Sequence, residues 1–314
     1  MSDIRLEAWE TTDEVAVALG TFDGVHLGHQ AVLAEMRREA QAGHLLPIAL
    51  TFDPHPRQVL APGQSPQLLT TLEQRVSLLH RFGAQQVVIA TFTKAFAGLA
   101  PEVFAEELLA KRLHAKAVVV GYNYTFGAGG RGRPEDLEQL GKRLGFKTHI
   151  VPPVRSEGEI VSSSRIRSCL EQGKVEEALQ LLGHEYVMGG EVVRGDGRGH
   201  ALGFPTANLA VSPEQLLPAN GVYVAEVNFD EASSSLKRWG LASIGTRPTF
   251  YADAGRTLEV YILDYEGDLY GRRLSISLRH MLRPEQAFAN AEALIAQMRA
   301  DEAEARAYLA RLNN

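Results

Sequence analysis

At 314 residues the chain is long for one hydrophobic core, and a prior of about one domain per ~150 residues suggests two. A composition of 45% hydrophobic and 22% charged residues is that of a soluble globular protein, and the formal net charge of -6 supplies no broad positive field for nucleic acid. The single cysteine, Cys169, excludes an internal disulfide framework and suits a reducing compartment. The start Met1-Ser2-Asp3-Ile4-Arg5 is too charged for a secretion signal, and no apolar run approaches the roughly 18 residues that cross a bilayer, so a cytoplasmic location is expected.

Glu14 to Leu19 is a short, nearly continuous apolar run of the kind buried on both faces of a parallel sheet. Beyond His29, the residues Val32, Leu33, Met36 and Ala40 recur at helical spacing. Between them lies Gly20-Thr21-Phe22-Asp23-Gly24-Val25-His26-Leu27-Gly28-His29. A strand, a glycine-rich turn and a helix in that order bring the first helical amides to the carboxyl edge of the sheet, a geometry that binds anions. Gly24 and Gly28 allow close backbone approach, and His26 and His29 add donors for phosphate oxygens, which suggests nucleotidyl transfer. Two ordinary surface histidines, or half of a metal site, are the plainer readings of the same turn, although no Cys-x-x-Cys or His-Glu-x-x-His companion is present.

Leu45 to Phe52 reads as a second buried strand, and it ends in Asp53-Pro54-His55-Pro56, where two prolines forbid a helix. Thr70-Thr71-Leu72-Glu73 has the form of a capping box before a helix through Val76, Leu78, Leu79 and Phe82, stopped by Gly83. Gln86 to Phe92 is a third strand, Pro101 opens a helix to about Leu113, and Ala117 to Val120 is a fourth strand. The alternation predicts a mostly parallel sheet in a Rossmann-like α/β domain.

The stretch Gly121-Tyr122-Asn123-Tyr124-Thr125-Phe126-Gly127 continues into Gly129, Gly130 and Gly132 and contains a Gly-x-Gly-x-x-Gly match. It starts too far beyond its strand for a dinucleotide fingerprint, so a flexible cover over a ligand or a plain surface loop is expected instead. A helix from Asp136 to Leu144 and a strand from Lys147 to Val151 follow. Ser162-Ser163-Ser164-Arg165-Ile166-Arg167 then offers hydroxyls, free amides and guanidinium groups at a helix start, either a second phosphate site or a serine cap with solvated arginines.

Glu171 to Leu182 is a helical stretch, and 183–186 carries the chain out of the first domain, with expected domains at 1–184 and 185–314. The texture then changes to short strands separated by turn signals: Glu191–Arg194, Phe204–Leu209, Gly221–Phe229, Trp239–Ile244, Leu258–Leu263 and Arg273–Leu278. These predict a small antiparallel barrel or sandwich, closed by a helix from Pro284 to about Leu312 that packs across it through Phe288, Leu294, Ile295, Met298 and Leu309.

Thr206 and Asn208 stand two residues apart, hence on one side of an extended segment, and offer hard oxygens suited to Mg²⁺; both are also ordinary turn residues. The alternation Leu258-Glu259-Val260-Tyr261-Ile262-Leu263 separates Glu259 from an apolar face. In a pocket its carboxylate would serve as a general base, and in water it would be the polar half of a strand.

Together the motifs carry a resemblance. The runs at 20–29, Thr51-Phe52-Asp53-Pro54-His55-Pro56, Val120-Gly121-x-Asn123-Tyr124-x-Phe126-Gly127 and Ser162-Ser163-Ser164-x-Ile166-Arg167 resemble the adenylyltransferase half of bacterial bifunctional riboflavin kinase/FAD synthetases. The runs 194–209, Gly221-Val222-Tyr223, 244–250 and 258–264 with 268–271 resemble the kinase half of the same family. The resemblance implies that ATP phosphorylates riboflavin to FMN in the second domain and adenylylates FMN to FAD in the first, releasing pyrophosphate.

It further implies roles for individual residues. His26 and His29 would contact ATP phosphates within a nucleotide-binding motif that includes Gly20, Phe22, Asp23 and Gly28, and Asn123 would hold the reacting groups. Ser162, Ser164, Arg165 and Arg167 would form the second phosphate site. Glu259 would be the base for the ribityl hydroxyl, Thr206 and Asn208 would hold Mg²⁺ with ATP, and the turn with Gly195, Gly197 and Gly199 would cover the phosphates. Ser164, Ser243 and Tyr261 depart from the family's usual threonine, asparagine and histidine. The expected partners are small molecules, riboflavin, FMN and ATP, with no nucleic acid or membrane; an adenylyltransferase for another acceptor and a flavin carrier are the alternatives. A class I tRNA-charging enzyme fails for want of a Lys-Met-Ser-Lys-like loop, a basic surface and an anticodon domain.

Overall fold

The computed structural model describes residues 3–195, 203–229, 237–246 and 255–312. Two compact units divide the chain, one ending at Ser163 and the other beginning at Ser164. The first contains β1 (Asp3–Arg5), β2 (Val15–Leu19), α1 (Leu27–Gly43), β3 (Leu46–Asp53), α2 (Pro56–Leu60), α3 (Leu72–Arg81), β4 (Gln86–Thr91) and α4 (Lys94–Ala97). It continues through α5 (Pro101–Val103), which runs into a π-helical stretch (Phe104–Arg112), then β5 (Ala115–Gly121), α6 (Pro134–Leu144), β6 (Lys147–Val151) and the hairpin β7 (Arg155–Ser156) and β8 (Glu159–Ile160).

The six strands β1 to β6 form one sheet in the order β1-β4-β3-β2-β5-β6, every pair parallel. All five residues of β2 are buried, as a central strand covered on both faces requires. On one face Val32, Leu33, Met36 and Ala40 of α1 pack with Leu79 of α3 over Ala16, Ala18 and Val87. On the other, Phe104, Leu108, Leu109, Leu137 and Leu140 cover Val17, Leu19 and Val118. Because β3 lies on one side of β2 and β5 on the other, the chain reverses direction across the sheet at β2. In such sheets ligands bind where this happens, outside the carboxyl ends of the strands.

Helix α7 (Ser163–Glu171) starts on the last residue of the first unit, and the rest of it and α8 (Val175–Leu182) open the second. The expected single helical stretch over 171–182 is broken because Gly173 adopts φ +75°, a conformation that ends α7 and frees the chain to turn. A closed barrel follows, in the order β10-β13-β12-β11-β14-β9, all antiparallel. Its strands are β9 (Val187–Val193), β10 (Thr206–Val211), β11 (Gly221–Phe229), β12 (Lys237–Thr246), β13 (Arg256–Ile262) and β14 (Arg273–Pro284), and α9 (Ala291–Leu312) ends the unit.

The terminal helix differs from its sequence expectation. Residues up to Pro284 belong to β14, and α9 begins at Ala291, which leaves Phe288 before the helix, against the Arg283 guanidinium. The strand outruns its apolar alternation because Arg279, His280 and Arg283 are each satisfied by an acidic partner from elsewhere in the unit: Glu185 and Glu226, Glu176, and Asp301. The helix buries Ala305 beside Val224 and Leu241, with Tyr308 and Leu309 packed on that cluster. Asp301, 3% exposed, accepts three hydrogen bonds from Arg283 at 2.8–3.1 Å and one from Gln297.

A buried pair of this kind costs about 3–5 kcal/mol when one partner is removed, because the other charge stays buried. Asp301→Ala is therefore expected to destabilise the barrel unit by about that amount. The check is urea unfolding in a Trp9→Phe background, where Trp239 in β12 becomes the sole reporter.

Candidate active sites

In the parallel-sheet unit the turn after β2 is held from beneath. Asp23, 1% exposed, accepts hydrogen bonds from the Leu69 amide at 2.9 and 3.1 Å and from the Thr70 amide at 3.2 Å. The Thr70 hydroxyl lies 3.4 Å from the same carboxylate and accepts from the Gly24 amide at 3.2 Å. This engagement explains a one-residue displacement from the expected helix cap. The N-cap of α3 is Thr71, paired reciprocally with Gln74, because the Thr70 hydroxyl is committed to the turn. Ser163, of the three serines, donates to the Asp23 carbonyl at 2.9 Å and is the first residue of α7; Ser162 precedes the helix.

Two non-glycine residues of the turn have left-handed backbone, Phe22 at φ +51° and Val25 at φ +36°. Such conformations cost roughly 1–3 kcal/mol each and persist only where surroundings over-determine them. A Cβ on Gly20 would lie 3.0 Å from the Phe22 ring, a contact tight enough to press on it. Gly28 lies similarly close to the His26 ring, at 3.1 Å from a built Cβ.

His26 is the N-cap of α1, and its Nδ1 accepts from the amides of Gly28 at 3.2 Å and His29 at 3.4 Å. Part of the anion-binding amide set expected from the sequence is thus taken by the histidine itself, and the ring proton of neutral His26 is placed on Nε2. His26 and His29 stack with centroids 3.7 Å apart, and the Phe22 ring meets His29 edge-on at 5.3 Å. His29 Nδ1 is buried without a hydrogen-bond partner among the described residues, leaving Nε2 as the atom able to meet a substrate oxygen. Burial, reinforced by His26 and Arg75, holds the His29 imidazole well below its ordinary pKa, so it is neutral near pH 7.

Asn123 is exposed just beyond β5, on the carboxyl edge shared with the β2 turn. The loop after it is closed: Phe126 and Gly132 exchange backbone hydrogen bonds at 3.2 and 2.9 Å, and a Cβ on Gly132 would meet the Phe126 ring at 2.7 Å. Of the two expectations, a flexible cover and a plain surface loop, this pairing gives the segment the form of a closed surface loop. In α7 of the second unit, Arg165 pairs with Glu177 at 3.1 Å, Ser164 is exposed and Arg167 is half-buried.

Glu35, Glu39 and His149 also converge, with ligand-type atoms within 4.8 Å of one another. Arg38 already reaches both carboxylates, and the His149 ring lies 3.1–3.2 Å from them, so the group ties α1 to β6.

In the barrel, Leu258, Val260 and Ile262 are buried, and Glu259 lies on the opposite face of β13, half-buried. Asn208 of β10 is directly opposite Glu259, and Ser243 of β12 is opposite it on the other side. The Thr206 hydroxyl donates to the Glu259 carboxylate at 3.1 Å. A hydroxyl, a carboxamide and a carboxylate thus share one strand face, a set of hard oxygen donors that fits Mg²⁺. Asn208 is 8% exposed, and a Cβ on Gly195 would fall 2.3 Å from its Nδ2, so a larger residue there would have to push the carboxamide aside. Gly197 and Gly199 lie outside the described residues, as does the 247–250 part of the kinase-like motif.

Sequence reasoning missed Arg75, Thr51 and the Leu69-Thr70 amides. The available signal was Arg75 itself, which stands four residues before Leu79 on the buried face of α3. A charge on an apolar helical stripe has to be satisfied by something specific.

A stacked histidine pair at a strand-to-helix turn and a carboxylate among hard oxygens on a barrel are arrangements suited to the transfer of phosphate groups. Comparisons give the family. The FAD synthetase family profile matches residues 9–165 and the riboflavin kinase profile residues 182–309. Bifunctional riboflavin kinase/FMN adenylyltransferases of Listeria monocytogenes and Escherichia coli K12 are 38% and 37% identical, covering 99% and 93% of this chain and 97% and 92% of their own. That of Bacillus subtilis is 34% identical over 94% of this chain and 93% of its own. A crystal structure named as a macrolide-efflux protein from Streptococcus pneumoniae superposes with a TM-score of 0.87 at 32% identity, covering 97% of this chain and 98% of that one. Among the described residues here, no helix is long and apolar enough to cross a membrane.

The chain belongs to the bifunctional riboflavin kinase/FMN adenylyltransferase family. It is an enzyme with an N-terminal FAD synthetase domain and a C-terminal riboflavin kinase domain, acting on riboflavin, FMN and ATP.

Gly195→Ala is expected to displace the Asn208 carboxamide and to lower riboflavin kinase kcat/KM by about 10²-fold, the scale of a 1 Å misplacement. FMN adenylylation by the same protein, assayed separately with FMN as substrate, should stay at the wild-type rate.

Proposed function

We propose that riboflavin is phosphorylated at the Glu259 face of the barrel and that the resulting FMN is adenylylated at the His26–His29 turn. In the first reaction Glu259 takes the proton of the ribityl 5′-hydroxyl as that oxygen attacks the γ-phosphorus of ATP, and ADP leaves. Support comes from Thr206 donating to the carboxylate, which orients it, and from Asn208 directly across the strand pair. Thr206 and Asn208 would hold Mg²⁺, which when bound neutralises phosphate charge. Gly195, with Gly197 and Gly199 in the same glycine-rich turn, would lie along the phosphates.

In the second reaction a phosphate oxygen of FMN attacks the α-phosphorus of ATP, and pyrophosphate leaves. The chemistry demands positioning and charge stabilisation more than covalent participation. His26 and His29 present ring N–H donors to the phosphates, on a floor formed by Gly20, Phe22, Asp23 and Gly28. The reading assigns Asn123 to holding the reacting groups and Ser162, Ser164, Arg165 and Arg167 to further phosphate contacts. The observation that carries it is the stacking of the two imidazoles at 3.7 Å with each Nδ1 turned to the protein.

The proposal takes the catalytic modules as 1–184 and 185–314, with the helices of 163–182 counted in the first. It places the enzyme in the cytoplasm, acting on small molecules without nucleic acid or membrane, a setting that suits its unpaired Cys169.

The test is chromatography of the flavins formed from riboflavin and Mg-ATP. Wild type should give FMN and then FAD, Glu259→Ala neither, and His29→Ala FMN alone. FAD formation undiminished in His29→Ala would overturn the adenylyl-site assignment, and FMN formation by Glu259→Ala would overturn the base.

A further inference from the structure

Arg75 is 2% exposed, on the inner face of α3. Its Nη1 donates to the Thr21 carbonyl at 2.9 Å, and its Nε is buried with no acceptor among the described residues. The same carbonyl accepts from the Thr51 hydroxyl at 3.1 Å. Two buried donors on one oxygen fix the plane of the Thr21–Phe22 peptide, and that plane sets the φ of Phe22. Phe22 is the left-handed residue whose ring abuts His29. Along the same stretch, Leu69 and Thr70 hold Asp23 and Gly24, so the segment 69–75 grips the turn at 21, 23 and 24.

A fully buried guanidinium is an expensive way to make one hydrogen bond, since a neutral donor such as Thr51 already reaches the oxygen. Its charge therefore needs a use. We propose that Arg75 is a positioning residue for adenylyl transfer: from beneath the turn it locks the Thr21–Phe22 peptide, and with it the Phe22 ring behind His29, while its buried charge acts on the histidine pair. The proposal rests on the assignment of His29 to the phosphates.

The electrostatics agree with the geometry. Burial lowers the Arg75 pKa, against the opposing pull of Asp23 and Asp53, yet an arginine stays protonated in any such setting. After burial and His26, Arg75 is the further cause of the depressed His29 pKa. Removing that charge makes the His29 cation easier to form, so His29 should protonate at higher pH. The pH dependence of kcat/KM reads the free enzyme's groups, so the acid limb for FMN adenylylation should move up.

The experiment measures kcat, KM for Mg-ATP and the pH profile of FMN adenylylation for Arg75→Met, Arg75→Lys and Thr51→Val, with riboflavin phosphorylation in the same preparations as the internal control. Arg75→Met should lose about ten-fold or more of kcat, as a misplaced constellation does, and shift the acid limb upward. Arg75→Lys should restore the limb while recovering kcat only in part. Thr51→Val should lower kcat several-fold and leave the limb in place, on the same positioning argument. Wild-type kcat and an unmoved limb in a folded Arg75→Met protein would overturn the proposal. Should that variant fail to fold, wild-type kcat in both Arg75→Lys and Thr51→Val would overturn it equally. His29→Ala run alongside separates the two failures, because undiminished FAD formation there removes the underlying His29 assignment, whatever Arg75 does.

Discussion

Asp23 buries a carboxylate beneath a turn with two left-handed non-glycine residues, and the shape of the turn that carries the histidine pair depends on how it is satisfied. Charge-assisted hydrogen bonds contribute about 1.5–3 kcal/mol each, roughly the cost of one strained residue. The Leu69 and Thr70 amides that supply them come from a segment nearly fifty residues further along the chain, immediately ahead of α3. Strain in the turn is therefore offset by contacts outside it. An isolated peptide of the same sequence would have no reason to adopt this shape.

The same economy appears in α1. A helix start leaves amides without partners, and those amides are usually capped by serine, threonine, aspartate or asparagine. Here His26 does the capping, so forming the helix also fixes the ring plane and tautomer of a histidine assigned to phosphate contact. His29, one turn into the helix, stacks on that ring and inherits its orientation. The geometry of the turn and helix initiation are thus one event.

Much of this was legible in the sequence, for reasons that differ by element. The apolar run of β2, the glycines of the turn and the helical period of α1 are local signals, and they located the histidine pair correctly. The alternation 258–263 placed Glu259 on the face away from the core, where the structure has it opposite Asn208. What was hidden is non-local. Thr70 and Thr71 are chemically alike, and only the presence of Gly24 and Asp23 decides which one caps α3. The extent of β14 was concealed because Arg279, His280 and Arg283 look like solvent residues until Glu185, Glu226, Glu176 and Asp301 are placed beside them. Glycine-rich 127–132 read as loose, whereas the Phe126 ring occupies the space that a side chain at Gly132 would need.

The barrel solves a different problem from the sheet. Leu258, Val260 and Ile262 face its core, and Glu259 lies on the other half of the alternation. Direct cross-strand pairing then does what a loop would otherwise do. It sets Asn208 and Ser243 on either side of Glu259 at the fixed spacing of neighbouring strands, with Thr206 one step along the same face. Register is the determinant: a slip of one residue would turn Glu259 into the core and bring Leu258 or Val260 to the surface. The apolar residues that close the barrel are in this sense what specifies the Glu259 face, since a one-residue slip would bury a carboxylate without a partner.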